Sequence, residues 1–222
     1  MTSIRTRIAT LLLGCLALAG TAAAANMQEL VHETQRMNTD DGQITMVWWL
    51  PVQFWEESMK ASAAIPDAAR RQVVDAMSDY TILVLLRAKA GAGGISDVEP
   101  KEELVKKLKV TVNGNELQPL PTDQIAPATT LMLAQMKPAI AANLGPLGQA
   151  MQFVVYPGKA DGKPLLDATQ PGDLSVMFYG KDYHWHLPLG SLLPKKVDKK
   201  TGEEFPGNYL YNPYTGKKLG DK

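Results

Sequence analysis

Cysteine is nearly missing from this chain: among 222 residues the only thiol is Cys15. A lone cysteine closes no internal disulfide and supplies no cluster of metal ligands, which excludes a disulfide framework and a cysteine-held metal site. Histidine is scarce too, limited to His32, His184 and His186. No charge of one sign dominates, because 23 basic residues meet 23 acidic ones. Such a chain has no electrostatic footprint for nucleic acid. Local catalytic signatures are also lacking. No G-x-S-x-G elbow occurs, and Ser191 sits in Gly190-Ser191-Leu192-Leu193-Pro194 without the second glycine. Gly91-Ala92-Gly93-Gly94 lacks the later glycine and lysine of a phosphate loop.

What is present begins at the N-terminus. Arg5 and Arg7 precede an apolar stretch over residues 8–19, and Ala23, Ala24 and Ala25 then offer small side chains. This is the order of a secretory signal peptide, with an apolar segment too short to span a bilayer as a stable helix. We expect cleavage near Ala25, a mature chain from Asn26 and a periplasmic location. The alternative is a lipoprotein anchored at Cys15, because Leu12-Leu13-Gly14-Cys15 resembles a bacterial lipoprotein signal. After ordinary cleavage the mature chain has no cysteine, and its stability must come from a hydrophobic core.

Removing Arg5 and Arg7 from the 23 basic residues leaves 21 against 23 acidic ones, a net charge of −2. The balance is uneven. Residues 26–194 carry 14 basic and 19 acidic side chains, a net of −5, whereas residues 195–222 carry 7 and 4, a net of +3. That asymmetry divides the chain into a leader (1–25), an exported domain (26–194) and a basic, aromatic tail (195–222).

Residues 43–50 (QITMVWWL) follow an Asp40-Asp41-Gly42 turn signal and read as a strand. Trp48 and Trp49 are adjacent on it and must point to opposite faces. Residues 52–64 and 67–77 read as helices, and 99–107 as a short charged one. Residues 80–88 (YTILVLLRA) are apolar on both faces, which predicts a central strand. Asn113-Gly114 marks a hairpin after Lys109 to Val112, because a type I′ turn needs two positive φ angles. Residues 151–156 form a further strand, and 174–179 with 183–187 a second hairpin. Between residues 124 and 158 the only charged side chain is Lys137. Pro127, Pro138 and Pro146 interrupt this segment, so it is expected to fold as two short helices, 128–137 and 139–144, packed on the sheet. Hairpins with helices clustered in two places predict an α+β fold. We expect an antiparallel sheet or sandwich decorated with short helices, plus a C-terminal hairpin tail.

His184-Trp185-His186 is the one spacing that suits a metal, since residues two apart on a strand share a face. A third ligand would have to be a carboxylate such as Asp182 or Asp198. Nine methionines in the mature chain, Met132 and Met136 among them, would suit Cu(I) as soft ligands beside these imidazoles. The competing reading places Tyr183, Trp185 and Leu187 in the core, with both histidines on the wet face.

The tail holds two similar knuckles, Asp198-Lys199-Lys200-Thr201-Gly202 and Asn212-Pro213-Tyr214-Thr215-Gly216. It resembles a zinc ribbon, C-x2-C-G followed by a short hairpin and C-P-x-C-G. Asp198, Thr201, Asn212 and Thr215 stand where the four cysteines would be. Threonine hydroxyls are poor substitutes for thiolates, so no zinc is expected. Order is instead expected from Phe205, Tyr209, Tyr211 and Tyr214 packing on the main domain or on a partner.

Together these features predict a non-enzymatic envelope protein without cofactor or transmembrane segment. It would bind an envelope protein or a small apolar ligand. Candidate contacts are Trp48 and Trp49, Leu131 and Met132 in the uncharged segment, and Phe205, Tyr209, Tyr211 and Tyr214. The alternative is a metal-dependent enzyme or carrier using His184 and His186. An outward-facing tryptophan of the 48–49 pair would suit a carbohydrate.

Overall fold

Four tight turns set the topology. Asp41-Gly42, Asn113-Gly114, Asp161-Gly162 and Tyr179-Gly180 each place two successive residues at positive φ. That geometry matches the right-handed twist of the strands it joins. The turns close four antiparallel hairpins. These are β1 (Gln35–Asp40) with β2 (Gln43–Leu50), β5 (Leu108–Val112) with β6 (Asn115–Leu117), β8 (Lys159–Ala160) with β9 (Lys163–Pro164), and β10 (Gly172–Phe178) with β11 (Lys181–Leu187). The computed structural model describes residues 21–60 and 65–221. Most of the expected leader, Cys15 included, lies outside the described residues.

The apolar run read as a central strand is one. β3 (Tyr80–Gly91) pairs along one side with β2, and its other side is shared by β7 (Gln152–Pro157) and β4 (Gly94–Ser96). A second sheet has the order β11-β10-β5-β6. Every pairing in both sheets is antiparallel. The buried side chains of the two sheets belong to one hydrophobic core, which makes a sandwich with short helices packed against it.

Register shows how the faces divide. Thr45 lies opposite Arg87, and Val47 opposite Leu85. On this face the Arg87 guanidinium lies 3.9 Å from the centre of the Tyr179 ring, beside the second sheet. The other face of β2 carries Trp48, whose ring meets Phe54 edge-on at 5.4 Å. Phe54 belongs to α2 (Val52–Lys60), so that face packs against helices. Strand β3 is buried on both sides for this reason, as a filled interlayer strand should be.

Among the described residues the helices are α1 (Thr21–Thr34), α2, α3 (Asp67–Ser78), α4 (Lys101–Lys106), α5 (Pro127–Leu144) and α6 (Pro146–Ala150). Among the described residues, no helix is long and apolar enough to cross a membrane. Helix α1 ends at the joint of the sandwich. The fully buried Thr34 hydroxyl accepts the Trp48 indole N–H at 3.1 Å and donates to the Leu30 carbonyl at 2.8 Å. The Thr34 carbonyl accepts the Trp185 indole N–H, also at 3.1 Å. One residue thereby links a helix to both sheets.

The structure departs from the sequence reading in three places. Helix α5 runs through Pro138 rather than breaking into 128–137 and 139–144. Proline removes one intrahelical donor, but Pro138 is exposed, so water can satisfy the Ala134 carbonyl that loses its partner. The stop comes at Gly145, which takes a positive φ of 57°. Helix α2 agrees with the helix expected over 52–64 as far as Lys60, and residues 61–64 lie outside the described residues. Strand β1 carries no apolar alternation (QRMNTD), yet it pairs with β2 over its whole length. Finally, Trp48 and Trp49 do face opposite ways, but both are buried core residues, which leaves neither on the surface for a ligand or a sugar.

Candidate functional site

The tail leaves the sandwich from a one-turn 3-10 helix, Gly190–Leu192. Its first N–H groups have no intrahelical acceptor, and Glu33 of α1 fills that need. The Glu33 carboxylate accepts from Gly190 N–H at 2.9 Å, from Ser191 N–H at 2.8 Å, and from the Ser191 hydroxyl. Ser191 is therefore a bracing contact for the base of the tail. Nearby, Lys195 pairs with Glu29 of the same helix at 3.1 Å.

From that base the chain forms a three-stranded sheet, with β12 (Lys196–Val197) between β13 (Glu204–Phe205) and β14 (Gly220–Asp221). The Gly207 N–H donates to the Gly190 carbonyl at 3.1 Å, and the Asn208 amide to the Pro188 carbonyl at 3.2 Å. The backbones come close enough that a Cβ on Gly207 would lie 2.5 Å from the Pro194 oxygen. The tail is thus fastened to the main domain.

The two knuckles lie side by side, and hydrogen bonds hold them. The Asn212 amide donates to the buried Asp198 carboxylate at 2.8 Å. The other Asp198 oxygen accepts the Lys200 N–H at 2.9 Å. In the second knuckle the Asn212 side-chain oxygen accepts from Tyr214 N–H at 2.9 Å and Thr215 N–H at 3.2 Å. Gly202 and Gly216 close the turns at φ of 74° and 69°, a conformation that side chains with a Cβ rarely take. The Lys200 N–H, and after it the Asn212 amide, hold the Asp198 carboxyl below its ordinary pKa. Two of the four positions occupied by cysteine in a zinc ribbon are here joined directly to each other.

The tyrosines do not pack as expected. Phe205 and Leu219 are the buried apolar residues of the tail, with the Tyr209 and Tyr214 rings 6.5 and 6.4 Å from Phe205. The outer faces of those rings point to solvent. Leu210 is 67% exposed, Tyr211 56%, Tyr214 83% and Tyr209 40%. The order of the tail comes from its turns and the Asp198–Asn212 bond, because the hydrogen bonds fix a frame that needs little apolar burial. Lys199, Lys200, Lys217 and Lys218 are exposed around the same turns.

The other candidates lie elsewhere. On β11 burial alternates so that Tyr183, Trp185 and Leu187 face inward while His184 and His186 face out. The two imidazoles stack at 6.2 Å, and His186 Nδ1 lies 2.9 Å from Asp173. Asp182 shares their face, whereas Asp198 is committed to Asn212 in the tail. Among the described residues, no group of three or more His, Cys, Asp or Glu side chains is placed to hold a metal. In α5, Leu133 and Ile140 face the core, Leu131 is 52% exposed and Met132 is half-buried. An open depression of about 570 Å³ lies beside Pro138, lined by Ala134, Lys137, Pro138, Ala142 and Gln149.

Sequence reasoning missed Thr34, Glu33 and Leu210. Leu210 had a readable signal, an apolar residue between two tyrosines in a basic tail. Comparison of this chain with protein-family models, curated proteins and solved structures finds no match.

Proposed function

We propose that this chain is a non-enzymatic cell-envelope protein that works by binding, with the C-terminal knuckle as its contact surface. Export is supported by the Arg5/Arg7, apolar, Ala23-Ala24-Ala25 order at the N-terminus. The observation that carries the binding reading is the outward display of Leu210, Tyr211 and Tyr214 on a tail that is fastened to its domain. Exposed aromatic residues on a fixed frame suit a contact patch, because little side-chain order is lost on binding. The enzyme or carrier reading has two solvent-facing imidazoles and one bonded aspartate to rest on, a thin basis for catalysis.

A photo-cross-linking residue at position 214 tests this in living cells, with position 184 as an exposed control. Cross-linking from 214 and none from 184 is expected. Equal labelling from both positions, or none from 214, contradicts the reading. A second reading, an apolar ligand beside Pro138, is favoured by the depression there. That depression is open, whereas small-molecule sites enclose most of their ligand.

A further inference from the structure

We infer that the surface bound by the knuckle is an anionic lipid bilayer, an inference that rests on the binding role proposed above. Its groups fit the interface of a membrane by type. Tyr209, Leu210, Tyr211 and Tyr214 expose apolar area, and tyrosine prefers the headgroup level where its ring is buried and its hydroxyl stays wet. Exposed lysines lie in the same two turns. Lys199 and Lys200 lie in the first knuckle, Lys217 and Lys218 in the second, and the Asp198–Asn212 bond brings the two knuckles together. Lys218 is bridged to Tyr211 across the second turn. Long lysine stems can lie along the apolar patch while their ammonium groups reach lipid phosphates.

The acids of the tail offset part of this charge: Asp198 keeps its negative charge within reach of Lys217, and Asp221 is paired with Lys196. Glu203 and Glu204 are exposed. Against them stand the four knuckle lysines. Residues 26–194 are net −5, so an anionic surface repels the main domain while it attracts the knuckle. The same charge division fixes the orientation of the docked protein, tail down. A neutral protein groove accounts for the tyrosines but gives no reason for the lysines or for the opposite charge of the domain behind them; an acidic protein groove is distinguished by the cross-linking outcome below.

Co-sedimentation of the full chain with large vesicles tests the assignment. Vesicles containing phosphatidylglycerol should carry the protein down, and pure phosphatidylcholine vesicles should bind at least about tenfold less. Binding should weaken as salt rises. Lys217→Glu with Lys218→Glu should lower partition to anionic vesicles by about tenfold or more, and Leu210→Ser with Tyr214→Ser should lower it at every salt concentration. Lys181→Glu, a charge reversal on the main domain, should not. Melting temperatures of all variants confirm that they are folded. Equal binding to both vesicle types, or binding unaffected by the knuckle changes, overturns the lipid assignment. No vesicle binding together with a protein-sized adduct from position 214 overturns it too, while the binding role stands. No vesicle binding and no adduct overturns both.

Discussion

Replacing Thr34 by valine tests the joint of the fold with the loss of one hydroxyl. The substitution keeps the β-branch and nearly the same volume, so packing around Leu30, Trp48 and Trp185 should hold. What disappears is the acceptor 3.1 Å from the Trp48 indole nitrogen. Trp48 is buried, and its N–H would then face a methyl group. Leaving a buried donor unpaired costs about 1–3 kcal/mol. Threonine and valine differ little in helix propensity, so α1 itself should change little. For a domain of this size each kcal/mol lowers the melting temperature by about 2–4 °C. Thr34→Val should therefore melt about 2–12 °C lower. Urea denaturation followed by tryptophan fluorescence should show a lower midpoint with an unchanged slope. Trp48→Phe combined with Thr34→Val should cost clearly less than the two single changes together, because the pair is coupled. A Thr34→Val protein within about 0.5 kcal/mol of the parent would refute the joint.

Three further outcomes concern the tail and α5. The depressed Asp198 carboxyl stabilises the tail fully above the ordinary carboxyl pKa, near 4, and that stabilisation is lost as pH falls through the lower folded value. Amide signals of residues 198–216 should thus be unchanged from about pH 7 to 5 and collapse below about 4, and Asp198→Asn should flatten the dependence. Gly207→Val should force the tail off its base, since even a Cβ would clash with Pro194, and limited proteolysis should then cut the stretch that holds the tail in the parent. On α5, Leu131→Asp should leave stability within about 0.5 kcal/mol because that side chain is half in water, whereas Leu133→Asp should cost several kcal/mol by burying a charge, both read by urea midpoints.

The strands were legible because β2, β3 and β7 are apolar runs bounded by turn residues, and the Asn113-Gly114 hairpin followed from backbone chemistry alone. Strand β1 was not legible, since a polar edge strand shows no alternation and takes its register from the Asp41-Gly42 turn and the apolar β2 beside it. The continuity of α5 past Pro138 depends on that residue being exposed, which local sequence does not encode. Nor does local sequence connect Thr34 to Trp185, or Glu33 to Ser191, across some 150 residues of chain. For the tail, the spacing of the knuckles announced two paired turns. It did not reveal that Asp198 and Asn212 would bond to each other, nor that the tyrosines released by that bond would face outward.

Hydrogen–deuterium exchange of the full chain, free and with purified envelopes, shows whether the knuckle is the contact surface. Exchange should slow at residues 209–218 and stay unchanged at 127–144 and 181–187. Protection centred on 127–144 would move the contact to the Pro138 depression, and protection on 181–187 would move it to the histidines. Either result, or no protection anywhere, would contradict a protein that works through its C-terminal knuckle.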